Sequence, residues 1–102
     1  MDPERLSDIQ IADVVMSTAG RDKGKLFYVI DVDPVFLNLV NGKDRTLEKP
    51  KHKKRRHIEK VLRSETRVAA KLRNGDKVLN SELRRDLAYL SREMQSNAPG
   101  GN

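Results

Sequence analysis

Between residues 9 and 62, apolar residues occur in short runs that glycine, proline and charged residues separate. Short runs that are rich in β-branched residues, or that alternate apolar and polar residues, are typical of strands. We expect five strands, at residues 9–17, 26–32, 35–40, 43–48 and 58–62. In the second strand, the residues that alternate onto one apolar face are Leu26, Tyr28, Ile30 and Val32. Asn41 and Gly42 predict a type I′ hairpin between the third and fourth strands, because both residues tolerate positive φ.

After residue 63 the apolar period lengthens to three or four residues, which predicts two helices. Ser64 is the expected N-cap of the first helix, and Asn74-Gly75 signals its end. Asn80 or Ser81 is expected to cap the second helix. The apolar faces consist of Val68, Ala69 and Leu72 in the first helix, and of Leu83, Leu87, Leu90 and Met94 in the second.

These patterns divide the chain into an N-terminal arm, a β domain, a helical segment and a tail. Their expected bounds are 1–8, 9–62, 63–95 and 96–102. The tail is polar and rich in glycine, so we expect it to be disordered. Short strands with tight turns in so small a chain favour a closed or half-closed barrel, since closure removes exposed sheet edges. The predicted fold class is mainly β, a small barrel followed by a short C-terminal helical segment.

The composition limits the cell compartments and the kinds of chemical site that the chain is compatible with. With 102 residues, of which 36% are apolar, the chain can form one domain with a small core. It has no cysteine, which excludes disulfides, thiolate nucleophiles and cysteine-ligated zinc, and favours a reducing compartment. The longest uninterrupted apolar run, 26–30, is too short to span a membrane, and the N-terminus lacks the apolar stretch of a secretion signal. We therefore expect a cytoplasmic protein.

Positive charge is concentrated in one segment of the chain. Residues 41–60 contain nine Lys/Arg and three Asp/Glu, and this surplus of six equals the net charge of +6 of the whole chain. A charge that served only solubility would have no reason to be concentrated in this way.

The loop between the first two predicted strands is a candidate anion-binding segment. Its cations Arg21, Lys23 and Lys25 lie close to Gly20 and Gly24. Glycine lets the backbone approach a phosphate closely, and lysine and arginine supply the charge that pairs with it. On the residues alone, the loop is equally well a glycine turn with solvated charges.

The arrangement of strand, loop and strand resembles a known motif. An apolar strand and a second apolar strand flank the segment Gly20-Arg21-Asp22-Lys23-Gly24-Lys25. This arrangement resembles the KOW motif of SH3-like RNA-binding barrels, with Gly24 at the characteristic glycine. Segments 41–45 and 48–51 look like those of short bacterial KOW proteins, which are related to archaeal and eukaryotic large-subunit ribosomal proteins. The resemblance covers residues 9–62.

The resemblance implies an SH3-like barrel that binds structured RNA through its loops and has no enzymatic activity. The motif's loop falls on Gly20, Arg21, Lys23, Gly24 and Lys25. Its three cations would contact RNA, whereas Asp22 would order the loop by hydrogen bonding.

A second basic stretch, 49–57, holds six Lys/Arg and two His in nine residues, and we expect it to be a loop of the barrel. Such a run attracts a polyanion. It is also compatible with a solvated loop, a nuclear localisation signal or a patch for anionic membranes. The lack of an apolar anchor argues against a membrane, and the adjoining KOW loop favours RNA. The predicted RNA-binding residues are Arg21, Lys23, Gly24, Lys25, Lys43, Arg45, Lys49, Lys51, Lys53, Lys54, Arg55 and Arg56.

Aromatic and catalytic residues are scarce. Phe27, Tyr28 and Phe36 lie in predicted strands and are expected in the core, so recognition of phosphate and shape is favoured over stacking of unpaired bases. His52 and His57 lie among cations, which disfavours a metal ion. Asp31 and Asp33 are expected to face solvent. We expect no enzymatic activity, no cofactor and no metal.

The sequence therefore predicts a non-catalytic, cytoplasmic RNA-binding protein. Its expected partners are ribosomal RNA and the ribosome, and translation is the expected process. Two alternatives stay open: a KOW module of the transcription-elongation kind that binds protein, and a general nucleic-acid-binding protein. The leucine face of the last helix is expected to pack on its own domain, with docking on a partner protein as the alternative.

Overall fold

A computed structural model of the chain describes residues 8–96. It has five strands, which form one antiparallel sheet, and two α-helices that follow the sheet. The strands are β1 (Asp13–Ser17), β2 (Leu26–Val32), β3 (Phe36–Val40), β4 (Lys51–Lys54) and β5 (Ile58–Arg63). A single 3-10 turn, Arg55–His57, joins β4 to β5, and the helices are α1 (Arg67–Asn74) and α2 (Asn80–Ser96). The predicted mainly β class with C-terminal helices is confirmed. The expected arm and tail lie outside the described residues, apart from Asp8 and Ser96.

The strands follow the order β4-β3-β2-β1-β5 in the sheet. The first four strands form a meander, and β5 returns to pair with β1, where Ser17 lies opposite Ile58. No ladder joins β4 to β5 in the described part of the chain, so these two strands form the edges of an open sheet.

Both faces of the sheet are buried. On one face, residues of β1, β2 and β3 pack with both helices, and Leu83 and Ala69 are fully buried there. On the other face, a second core consists of strand residues together with Ile9, and no helical residue contributes to it. Burying a leucine side chain contributes about 2 kcal/mol, so the α2 leucines stabilise the attachment of the helix to the sheet.

Two predicted strands differ in detail from the observed ones. β1 begins at Asp13, because residues 10–13 form a turn in which Asp13 N–H donates to Gln10 carbonyl oxygen and Ala12 has a φ of +72°. The register of β2 against β3 shifts between Val29 and Asp31, so the strand has a bulge at Ile30. Ile30 packs against the first core and Val32 against the second, and the predicted alternation therefore fails at Val32.

The predicted fourth strand, 43–48, is wrong. These residues form a loop, and the strand that pairs with β3 is Lys51–Lys54, inside the segment that was expected to be a basic loop. Gly42 has the expected positive φ, +76°, but Asn41 does not. Instead, Asn41 Oδ1 accepts hydrogen bonds from the N–H groups of Lys43 and Arg45, both at 3.0 Å, and so closes the loop through its side chain.

The helix faces are as predicted, but the N-terminal caps are not. Val68, Ala69, Leu83, Leu87 and Leu90 are buried, and Gly75 ends α1 in the left-handed conformation. The cap of α1 is Thr66 rather than Ser64, since its Oγ1 accepts from Ala69 N. At the start of α2, Glu82 Oε1 accepts from Leu79 N at 2.9 Å. Asn80 turns away from the helix, and its Oδ1 accepts from Leu47 N.

Candidate nucleic-acid interface

The loop between β1 and β2, residues 18–25, is folded by its own backbone. Gly24 N–H donates to Ser17 carbonyl oxygen at 2.8 Å, and Lys25 N–H donates to that of Asp22 at 2.9 Å. Gly20 and Gly24 have φ values of +83° and +87°, a conformation that side chains with a Cβ disfavour. The predicted KOW loop is therefore an ordered turn that holds three exposed cations, Arg21, Lys23 and Lys25.

Strand β4 contacts this loop through Lys53. The Lys53 Nζ donates to Asp22 Oδ1 and to Ala19 carbonyl oxygen, both at 2.6 Å. Only 9% of Lys53 is exposed, so it does not reach solvent as a predicted RNA contact should. It lies opposite Leu37 in the ladder, and its stem therefore occupies a core position while its ammonium group orders the loop.

Asp22 is the acceptor on which this contact depends. Burial raises the pKa of the Asp22 carboxyl, but hydrogen bonds from Lys53 Nζ and Ser17 Oγ outweigh that effect and leave the pKa below its ordinary value. The carboxylate is therefore charged at neutral pH, as the ion pair requires. The expectation that Asp22 orders the loop is confirmed by these bonds.

Two further contacts hold the loop on both sides. Thr18 N–H donates to His57 carbonyl oxygen at 2.9 Å, which attaches the loop to the 3-10 turn. On the other side, Lys25 Nζ lies 2.5 Å from Asp44 Oδ2, which attaches it to the loop 41–48. Segments 21–25 and 49–57 contact each other through Asp22 and Lys53, as one basic surface requires, and Asp44 attaches loop 41–48 to the first of them.

The predicted contact residues differ in their freedom to bind a ligand. Lys53 and Lys25 are held in ion pairs, and Arg55 Nε donates to Asp33 carbonyl oxygen at 2.7 Å. Arg45 and Lys51 are half-buried. Of the predicted contact residues, the cations that are exposed and form no ion pair within residues 8–96 are Arg21, Lys23, Lys43, Lys49, Lys54 and Arg56.

The outer face of β4 holds a feature that the sequence reasoning missed. His52 lies opposite Asn38, and Lys54 lies opposite Phe36. The Phe36 and His52 rings stack, with centroids 4.2 Å apart and planes at 17°, and His52 Nδ1 lies 2.9 Å from Asn38 Oδ1. Phe36 was expected in the core, yet it is only half-buried and belongs to neither core cluster. Recognising 51–54 as a strand would have placed His52 and Lys54 on one face.

A buried polar cluster links the sheet to the helices. The Tyr28 hydroxyl donates to Asp86 Oδ2 and lies 2.7 Å from Ser64 Oγ, and Thr66 Oγ1 also donates to Asp86. Burial and the hydrogen bond with Asp86 raise the pKa of Tyr28 to about 12. Tyr28 therefore stays protonated at neutral pH and joins β2 to α2, which is a structural role.

The remaining candidate chemistry is sparse. Asp31 and Asp33 are exposed, and Asp33 Oδ1 closes the β2–β3 turn by accepting from the N–H groups of Val35 and Phe36. These backbone hydrogen bonds hold the pKa of Asp33 below its ordinary value. Over residues 8–96, no three His, Asp or Glu side chains are grouped so that they could hold a metal ion. Neither described helix is long and apolar enough to cross a membrane.

Comparison with known proteins adds no family to this description. The sequence matches no protein-family model, and no curated protein matches it significantly.

Proposed function

We propose that this chain is a non-catalytic RNA-binding protein of the KOW type that associates with the ribosome and binds structured ribosomal RNA. The observation that carries the proposal is the attachment of loop 18–25 to strand β4 through Lys53 and to loop 41–48 through Lys25. Because Lys53 and Lys25 are used for that attachment, the cations of three segments are held close together on a stiff support. A rigid group of cations attracts a polyanion and needs little reorganisation when it binds.

We also propose that residues 9–62 form an SH3-like barrel. Two observations support it: β1 pairs with both β2 and β5, and the second core is enclosed without any helical residue. A sheet whose last strand returns to its first strand, and which buries apolar residues on its inner face, is strongly curved.

Ribosomal RNA is the proposed partner because the glycine loop with the later Lys-Pro-Lys run resembles ribosomal KOW proteins. The exposed lysines and arginines of the surface are side chains that pair with phosphate groups. Such contacts do not distinguish one RNA sequence from another. Recognition of a folded RNA by its phosphates fits this chemistry.

Reversal of two charges tests the proposal. Arg21 and Arg56 come from different segments, are exposed, and form no ion pair within the described residues. In an Arg21→Glu/Arg56→Glu variant, affinity for a folded ribosomal RNA fragment should fall about tenfold or more. The slope of log K against log salt should become shallower by about 1.5, since each phosphate contact contributes about 0.7–0.9. Fluorescence anisotropy over a salt series measures both quantities.

A matched control carries the same charge change on α2. Arg85 and Arg92 are exposed there and lie outside the proposed surface. The Arg85→Glu/Arg92→Glu variant should lose only the small affinity that a lower net charge implies, and should keep the salt slope. Equal losses in the two variants would mean that net charge rather than this surface governs binding, and would overturn the proposal.

A further inference from the structure

The Phe36–His52 stack lies within the basic strand β4 and is a candidate for a second kind of RNA contact. His52 is exposed, and its ring orientation is fixed by Phe36 on one side and by Asn38 Oδ1 at its edge. A side chain that already has its bound orientation loses little conformational entropy when a ligand stacks on it. The ring is therefore preorganised as a flat surface.

Phe36 is the one ring that stacks on His52 among the described residues, and His52 is otherwise exposed. Phe36 covers the face towards β3, and β4 is an edge strand, so no strand of the described chain covers the far side. Lys54, on the same side of the strand and opposite Phe36, is exposed and forms no ion pair within residues 8–96. A flat ring beside a free ammonium group has the two components that a nucleotide needs, a stacking surface for the base and a cation for its phosphate.

We infer that the outer face of β4 binds an unpaired nucleobase of the RNA, which stacks on His52 while the adjoining phosphate pairs with Lys54. The inference rests on the proposed function and deepens it, because it specifies an RNA with a bulged or looped-out base. A fully paired helix keeps its bases stacked inside and offers His52 nothing to stack on.

Two RNA hairpins with stems of equal length and the same compact, stacked tetraloop test the inference, one with a fully paired stem and one whose stem holds a single bulged 2-aminopurine. The intact chain should bind the bulged hairpin about tenfold more tightly, in the range that one stacked base provides. Binding should also quench the 2-aminopurine fluorescence. His52→Ala should lose about tenfold in affinity for the bulged hairpin, lose the quenching, and leave the affinity for the paired hairpin unchanged.

A second substitution separates stacking from a loss of local structure. His52→Trp keeps an aromatic ring on the same face, so it should retain both the preference for the bulged hairpin and the quenching. Thermal melting of each variant shows whether the sheet stays intact, which is expected because His52 is exposed on an edge strand.

The outcomes distinguish this inference from the proposed function. If His52→Ala binds both hairpins as the intact chain does, while Arg21→Glu/Arg56→Glu weakens binding to both, the stacking site is wrong and the phosphate-binding surface stands. If His52→Trp behaves like His52→Ala, stacking is again excluded. If the intact chain binds neither hairpin, the proposed function fails and the stacking site fails with it.

Discussion

At the residue scale, the contact between Lys53 and Asp22 attaches the glycine loop 18–25 to strand β4. The ammonium group neutralises a carboxylate that is itself only 12% exposed, and together they join β4 to the glycine loop. The resemblance to KOW proteins implied the ordering role of Asp22, whereas Lys53 was among the predicted RNA contacts. The sequence shows that position 53 is a lysine. Its burial follows from its pairing with Leu37 in the β3–β4 ladder, and that pairing is not visible in the sequence.

Asp22→Asn tests this contact through stability. The substitution leaves the Lys53 ammonium group without its counter-ion in a mostly buried position, so the free energy of unfolding should fall by about 3 kcal/mol. Urea denaturation measures the change. A combined Asp22→Leu/Lys53→Met variant removes both charges and should recover at least half of the loss. No recovery would show that the ion pair itself is not the source of the effect.

The Lys53–Asp22 ion pair also predicts how the stability of the protein changes with pH. The pKa of Asp22 is lower in the folded protein than its ordinary value of 3.8, so the folded state favours the charged form. This contribution to stability is present above pH 3.8 and is lost as the pH falls through the folded pKa. The intact chain should therefore lose more stability on acidification than Asp22→Asn does. A pH series of the same denaturation curves shows the difference, and parallel pH profiles would contradict it.

At the element scale, the sequence located β2, β3, β5 and both helices to within a few residues and misplaced the fourth strand. Apolar alternation is the signal that marks strands, and Lys51–Lys54 has none, since its inward positions are held by lysine stems. Lysine is typical of edge strands, where it discourages pairing with other chains, and that was the usable clue. The Asn41-Gly42 signal was correct about a turn but not about its type, because Asn41 acts through its side chain.

Loop 41–48 takes the place of the predicted hairpin strand. Its position against α2 predicts that alanine substitutions at two glycines differ in the stability that they cost. A Cβ on Gly42 would lie 2.2 Å from Asn80 carbonyl oxygen, whereas one on Gly24 would meet nothing within 4 Å. Both residues have positive φ, so both alanine variants carry about 1–2 kcal/mol of backbone strain. Gly42→Ala should lose at least about 2 kcal/mol more than Gly24→Ala in chemical denaturation, because loop 41–48 must move away from α2. Equal losses would mean that the contact between this loop and α2 is not tight.

At the scale of the whole molecule, one sheet with helices on one face positions two basic segments, 41–48 and 49–57, beside the glycine loop 18–25. The excess of charge between residues 41 and 60 was visible in the sequence, and so was the resemblance that linked it to loop 18–25. The Phe36–His52 stack was not visible, because it joins residues of two strands whose register only the folded chain defines. The net charge of a segment can be counted from its residues, whereas a stack between two strands depends on how those strands are paired.

The most direct test of the central claim is ultraviolet crosslinking in cells, with the attached RNA sequenced and the crosslinked peptides mapped by mass spectrometry. We expect the RNA to be ribosomal, and the crosslinks to fall in both segment 18–25 and segment 51–57 at one RNA site. Crosslinks confined to α2, or the two segments attached to unrelated RNAs, would contradict a single RNA-binding surface. If all of the crosslinked RNA is non-ribosomal, a general nucleic-acid-binding protein is favoured. If the protein is recovered with RNA polymerase in place of RNA, the transcription-elongation alternative is favoured. Either result would contradict the ribosomal assignment.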